Sequence, residues 1–177
     1  MGGNSIRKDN LRRYLERFRK RPVAVLVGEA AGPWGARFSG IPFTSERQLS
    51  EGVLPFKGSA SSTHVPPYME KSGSVVWGEL LHHFPDFFLW NAVPLHPHLP
   101  GMPLTIRRPS AREIRTFSPL LQKVLAILAP RRVVAVGRVA ETSLRYIGVP
   151  GTYVRHPSQA GAKAFREGIR SLFVGMR

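Results

Sequence analysis

The chain has 177 residues, of which 26 are Lys or Arg and 11 are Asp or Glu, giving a formal charge of +15. So basic a surface calls for a polyanionic partner, nucleic acid first. The absence of cysteine excludes disulfides, thiolate zinc sites and cysteine-held iron–sulphur clusters, while 42% hydrophobic content suits one domain with a substantial core, spanning residues 1–177.

Leu11, Tyr14, Leu15 and Phe18 recur at helical spacing among Arg12, Arg13, Arg17, Arg19 and Lys20. Residues 9–21 therefore read as a basic amphipathic helix ended by Pro22. Residues 23–27 form a short Val-rich run stopped by Gly28, as expected of a strand buried on both faces. Similar runs occupy 87–93, 132–136 and 152–155, with helical patterns over 75–83, 111–128, 139–146 and 159–174. This alternation predicts an α/β fold, a parallel sheet with helices on both faces and right-handed crossovers. Residues 35–73 are the least regular stretch, rich in Gly, Ser and Pro, with one short helical candidate at 45–49; loops of this length inside a compact domain are usually functional, disordered or both.

The longest apolar run, 84–95, is interrupted by Pro85, Asp86 and Asn91 and falls short of the ~20 residues needed to span a bilayer. The N-terminus opens polar and basic. A soluble, intracellular protein without membrane association is the expectation.

Ligands of open α/β sheets bind beyond the carboxyl ends of the strands. The segments leaving those ends are Gly28-Glu29-Ala30-Ala31-Gly32-Pro33-Trp34-Gly35, Asn91-Ala92-Val93-Pro94-Leu95-His96-Pro97-His98 and Arg155-His156-Pro157-Ser158-Gln159. The first has neither the G-x-G-x-x-G spacing of dinucleotide sites nor the Gly-Lys-Ser/Thr of a P-loop. His96 and His98 could pair on a metal, but without H-E-x-x-H or Pro-Cys-x-x-Cys they read better as groove or pocket-rim residues. No Gly-x-Ser-x-Gly elbow is present. Neither metal nor cofactor is expected.

At these segments the sequence resembles the uracil-DNA glycosylase superfamily. Gly28 to Gly35 followed by Ser39-Gly40-Ile41-Pro42-Phe43 resembles its first motif, Ser74-Val75-Val76-Trp77 the helix start that follows, Leu89-Trp90-Asn91-Ala92-Val93 the second motif, and His156-Pro157-Ser158 the last. Residues 133–139 are similar to the third strand and its turn. The resemblance implies a three-layer α/β/α sandwich around a four-stranded parallel sheet. It also implies that Gly28 and Ala30 line the base pocket, Phe43 stacks on a flipped base, Asn91 reads the uracil edge and His156 contacts a base carbonyl. Glu29 becomes the candidate for water or the sugar cation, since Ala30 stands where relatives carry Asp or Asn. Arg155, Ser158, Gln159 and Lys163 become candidate DNA contacts, although Ser158 reads more simply as a cap on the following helix. Gln159 and Ala160 stand where relatives insert a wedge into the base stack.

The function implied is excision of uracil from DNA, single- or double-stranded, by hydrolysis of the N-glycosidic bond, the first step of base-excision repair. The alternatives are a DNA- or base-binding module that has lost turnover and a glycosylase for deaminated purines such as hypoxanthine. A monomer in the cytoplasm, nucleoid-associated if bacterial, is expected.

Overall fold

A computed structural model describes residues 2–173. Four parallel strands, β1 (Ala24–Ala30), β2 (Phe87–Val93), β3 (Arg132–Val136) and β4 (Thr152–Val154), form one sheet in the order β2-β1-β3-β4. The helices are α1 (Gly3–Leu15), α2 (Ala36–Ser39), α3 (Glu46–Ser50), α4 (Lys71–Leu80), α5 (Ala111–Leu128), α6 (Arg138–Tyr146) and α7 (Ala162–Phe173).

The strand order fixes the layers. Right-handed connections that move outward from β1 to β2, then back across to β3 and on to β4, put α4 on one face and α5 and α6 on the other. The contacts agree: α5 packs on β2, α6 lies across β1, β2 and β3 and touches α5, while α7 packs on β4 and against α4. Val25, Leu26 and Val27 of β1 are fully buried between the layers, each such side chain contributing about 1.5–3 kcal/mol of transfer free energy.

Several boundaries move. The N-terminal helix runs Gly3–Leu15 rather than 9–21. Asn10 is buried within it, its amide donating to Ser39 O and Ser59 O at 2.9 Å each. The chain leaves the helix after Glu16, and Phe18 packs edge-on against Tyr14 and Phe88. The 75–83 helix begins at Lys71 and ends in a 3-10 turn, Leu81–His83, so Ser74 lies inside it. The first strand does not stop at Gly28 but continues through Glu29 and Ala30, because Gly28 pairs with Asn91 and Ala30 with Val93 on β2. The fourth strand ends at Val154. The last helix begins only at Ala162, and Val174 lies outside the described residues. The short helical candidate is α3, opened by a reciprocal Ser45–Gln48 capping box.

Edge strand β2 is steadied by an unexpected partner. The Leu89 N–H, two residues before Asn91, donates to the Tyr14 hydroxyl at 2.7 Å. Tyr14 is itself fully buried, and that burial pushes its hydroxyl pKa upward.

Candidate active site

The carboxyl end of β1 organises the site. A Cβ on Gly28 would stand 2.5 Å from Asn91 Oδ1 and 2.5 Å from Phe43 Cζ, so only glycine lets these two side chains meet over the strand. Asn91 is 3% exposed and Phe43 is 6% exposed.

Phe43 has φ +52°, a left-handed conformation unusual for an aromatic residue. A buried polar network holds it there. Ser39 Oγ donates to Thr44 O at 2.6 Å, and Trp77 Nε1 donates to Thr44 Oγ1 at 2.9 Å. The fully buried Glu46 accepts from the N–H groups of Ser61 and Ser62. The α4 backbone closes in from beyond, since a Cβ on Gly73 would stand 2.5 Å from Phe43 O. Sequence reasoning placed Ser39 in the first motif without a role and missed Thr44 and Glu46. The capping-box spacing of Ser45 and Gln48 was the available signal that this stretch is ordered.

His156 follows β4 with its ring centroid 5.8 Å from that of Phe43. Its Nδ1 accepts the Ser158 N–H at 3.2 Å and lies 2.8 Å from Ser158 Oγ. Burial lowers its pKa below the ordinary imidazole value, the Glu29 carboxylate opposes that shift and Arg155 adds to it. Ser158 therefore orients His156 and does not cap a helix: α7 starts four residues later, and the intervening Gln159 and Ala160 adopt φ +51° and +60°.

Glu29 Oε1 accepts the Val139 N–H at 3.2 Å, at the amino end of α6, where the helix dipole favours a carboxylate. It lies against Gly137, whose backbone also approaches the His156 Cβ, so the acid and the imidazole flank one glycine.

Glu70, not among the candidates from sequence, is half-buried, with its carboxyl group enclosed beneath the first loop. Its carboxyl oxygens press on Gly32 and Gly35, where any Cβ would collide. Burial raises its pKa to about 7 against a weaker opposing hydrogen bond from the Ser72 side chain, and Oε2 has no partner. Nothing in a single sequence distinguishes Glu70 from a surface glutamate.

A cavity of about 1030 Å³ is lined by Glu29, Ala30, Glu70, Arg155, His156 and Gln159, and Ser158 also reaches it. Asn91 lies instead on a smaller cavity of about 430 Å³, beside Trp90, Arg37 and His96. Phe43 lines neither cavity but lies between them, its Cζ converging with Asn91 Oδ1 over Gly28 and its ring centroid 5.8 Å from that of His156. Lys163, exposed on the first turn of α7, is not among the lining residues. His96 Nδ1 donates to Ala31 O at 2.7 Å, and its ring stacks on that of His98 with centroids 5.7 Å apart. Among the described residues Lys71, Arg108 and Arg155, which face the larger cavity, have no carboxylate partner, whereas Arg107 is tied to Glu113 and Arg138 to Glu141.

The model of the Uracil DNA glycosylase superfamily matches residues 15–172. The chain belongs to the uracil-DNA glycosylase superfamily. Among solved structures it is similar to SMUG2 of Pedobacter heparinus, with a TM-score of 0.63 and 15% identity over 89% of this chain and 76% of that one. No curated protein matches it. The superfamily fold agrees with the four-stranded parallel sheet and flanking helices seen here. No helix among the described residues is long and apolar enough to cross a membrane.

Proposed function

We propose that this superfamily member excises uracil from DNA, hydrolysing the bond between the base and C1′ of its sugar. The observation that carries the reading is the meeting of Phe43 and Asn91 over Gly28, with His156 next to the Phe43 ring.

A duplex hides the glycosidic bond, so the nucleotide must first leave the stack, at a few kcal/mol. Phe43 then stacks on the extruded ring. The Asn91 amide accepts from the base N–H and donates to the adjacent carbonyl, a pattern cytosine does not match. As the bond breaks, its electron pair passes to the base and negative charge grows on the carbonyl oxygens.

The hydrogen bond from Ser158 N–H occupies His156 Nδ1, so neutral His156 carries its proton on Nε2. That Nε2–H is the donor for the developing anion, a contribution realised only in the transition state. Glu29, with Oε1 held at the amino end of α6, orients water toward C1′ and offsets the oxocarbenium charge on the sugar. Water adds to C1′, and its proton ends on the departing base by way of solvent.

Lys71, Arg108 and Arg155 hold the DNA backbone around the cavity. Release of free base from a uracil-containing oligonucleotide tests the reading. Tight binding without release would mark a binding module instead. Release from hypoxanthine or xanthine substrates and not from uracil would move the specificity to deaminated purines.

A further inference from the structure

The segment between β2 and α5 displays Leu99, Met102, Leu104 and Ile106 to solvent, with Met102 55% and Ile106 57% exposed. A mobile tail could expose such side chains at little cost, but this loop is tied down from within. A turn brings the Met102 N–H to Leu99 O at 3.0 Å, with Gly101 at φ +70°. Thr105 Oγ1 accepts the Leu99 N–H at 3.1 Å, and its own N–H reaches Met102 O at 3.0 Å. Arg107 anchors the base through His98 O at 3.1 Å and a two-pronged pair with Glu113 at 2.7 and 2.8 Å, while Arg37 bonds Pro103 O.

An ordered projection holding several large aliphatic side chains in water marks a binding surface. Its surroundings select the partner. Ile106 lines the larger cavity together with Arg107 and Arg108, and Lys71 and Arg155 face the same space. Ile106, set beside Lys71, Arg108 and Arg155, which have no carboxylate partner among the described residues, fits a duplex, whose phosphates meet the cations and whose base steps accept an apolar wedge. Gln159 and Ala160 also line this cavity but offer no large apolar group.

We infer that the 99–106 loop is the wedge that enters duplex DNA, with Ile106 filling the space vacated by the extruded nucleotide. The inference rests on the glycosylase reading and adds the element that opens the duplex.

A single strand needs no wedge, and this separates the wedge from every other role. Single-turnover base release is measured for wild type, I106S and L104S/I106S on one uracil-containing oligonucleotide, as a single strand and as a duplex. The expected result is a duplex rate roughly 10- to 100-fold lower in I106S, lower again in the double variant, and an unchanged single-strand rate. I106L, which restores apolar bulk, should recover the duplex rate. A 2-aminopurine placed beside the uracil should brighten on mixing duplex with wild type and not with I106S.

Unchanged duplex release in both variants would overturn the inference while leaving the glycosylase reading intact. Equal loss on both substrates would also overturn it, placing Ile106 in the pocket. A wild type that releases no base from either substrate would take down the glycosylase reading and the wedge with it.

Discussion

The Ser158 backbone N–H donates to His156 Nδ1 at 3.2 Å, which leaves Nε2 as the protonated nitrogen of the neutral ring. Burial keeps that ring neutral below the pH at which an ordinary imidazole titrates, with Arg155 acting in the same direction against Glu29. Nitrogen-15 correlation spectra should therefore show the Nε2–H tautomer of His156, with the neutral ring the major form at pH 6.5. Because unfolding frees the ring to protonate at its usual pKa, this residue costs stability as pH falls below that value. A His156 that titrates above 6.5 would remove the neutral donor.

Glu70 gives the opposite pH signature. Its carboxyl is held protonated up to about 7 by burial beneath Gly32 and Gly35, while in the unfolded chain it ionises near 4.5. Between those values the native state binds the extra proton, so stability falls as pH rises, by about 1.4 kcal/mol for each pH unit crossed. E70Q keeps the shape and discards the ionisation. Thermal melts from pH 5 to 8 should show wild type losing stability relative to E70Q, and parallel curves would show that Glu70 does not titrate in this window.

Asn91 is the residue assigned to base identity. N91A should lower uracil release by on the order of 10², the rate equivalent of leaving buried partners unsatisfied at about 1–3 kcal/mol each. N91D should gain some release from cytosine, whose amino group a carboxylate accepts. Release of uracil by N91A at the wild-type rate would make Asn91 a structural residue of β2.

Lys71, Arg108 and Arg155 face the cavity without carboxylate partners among the described residues. Each phosphate contact steepens the fall of log K with log salt by roughly 0.7–0.9. Replacing all three with Ala should flatten the salt slope of oligonucleotide binding by about two units. An unaltered slope would place the DNA track elsewhere on the surface.

The sheet is legible in the sequence because β1 and β2 are buried over most of their length and the end of β3 is buried too, so these strands are written as nearly continuous apolar runs: 87–93 and 132–136 coincide with β2 and β3 to the residue. Strand one is cut short in the sequence because Gly28 reads locally as a stop, whereas its role is tertiary, admitting Asn91 and Phe43. The N-terminal helix is displaced because its first residues, 3–8, carry a single apolar side chain, Ile6, and so show no periodicity to read. At the candidate site, Gly28, Glu29, Ala30, Asn91 and His156 fall at or beside the carboxyl ends of strands, where a sequence reading looks for ligands, whereas Phe43 lies in the loop between α2 and α3 and is reached only through motif order. Ser158 reads as a cap because Ser before a helical pattern ordinarily is one. Two left-handed residues, Gln159 and Ala160, intervene and turn it back to His156. Glu70 and the Glu46 network depend on contacts between segments distant in sequence and leave no periodic trace.

The role of His156 at the departing base is tested most directly by single-turnover release of uracil from DNA by wild type and H156A, beside a binding titration on the same oligonucleotide. The expected outcome is base release by wild type, a loss of about 10²–10³ in rate for H156A, and nearly unchanged affinity, because Phe43 stacking and the backbone contacts remain. Release by H156A at the wild-type rate, or no release by wild type, would contradict that role.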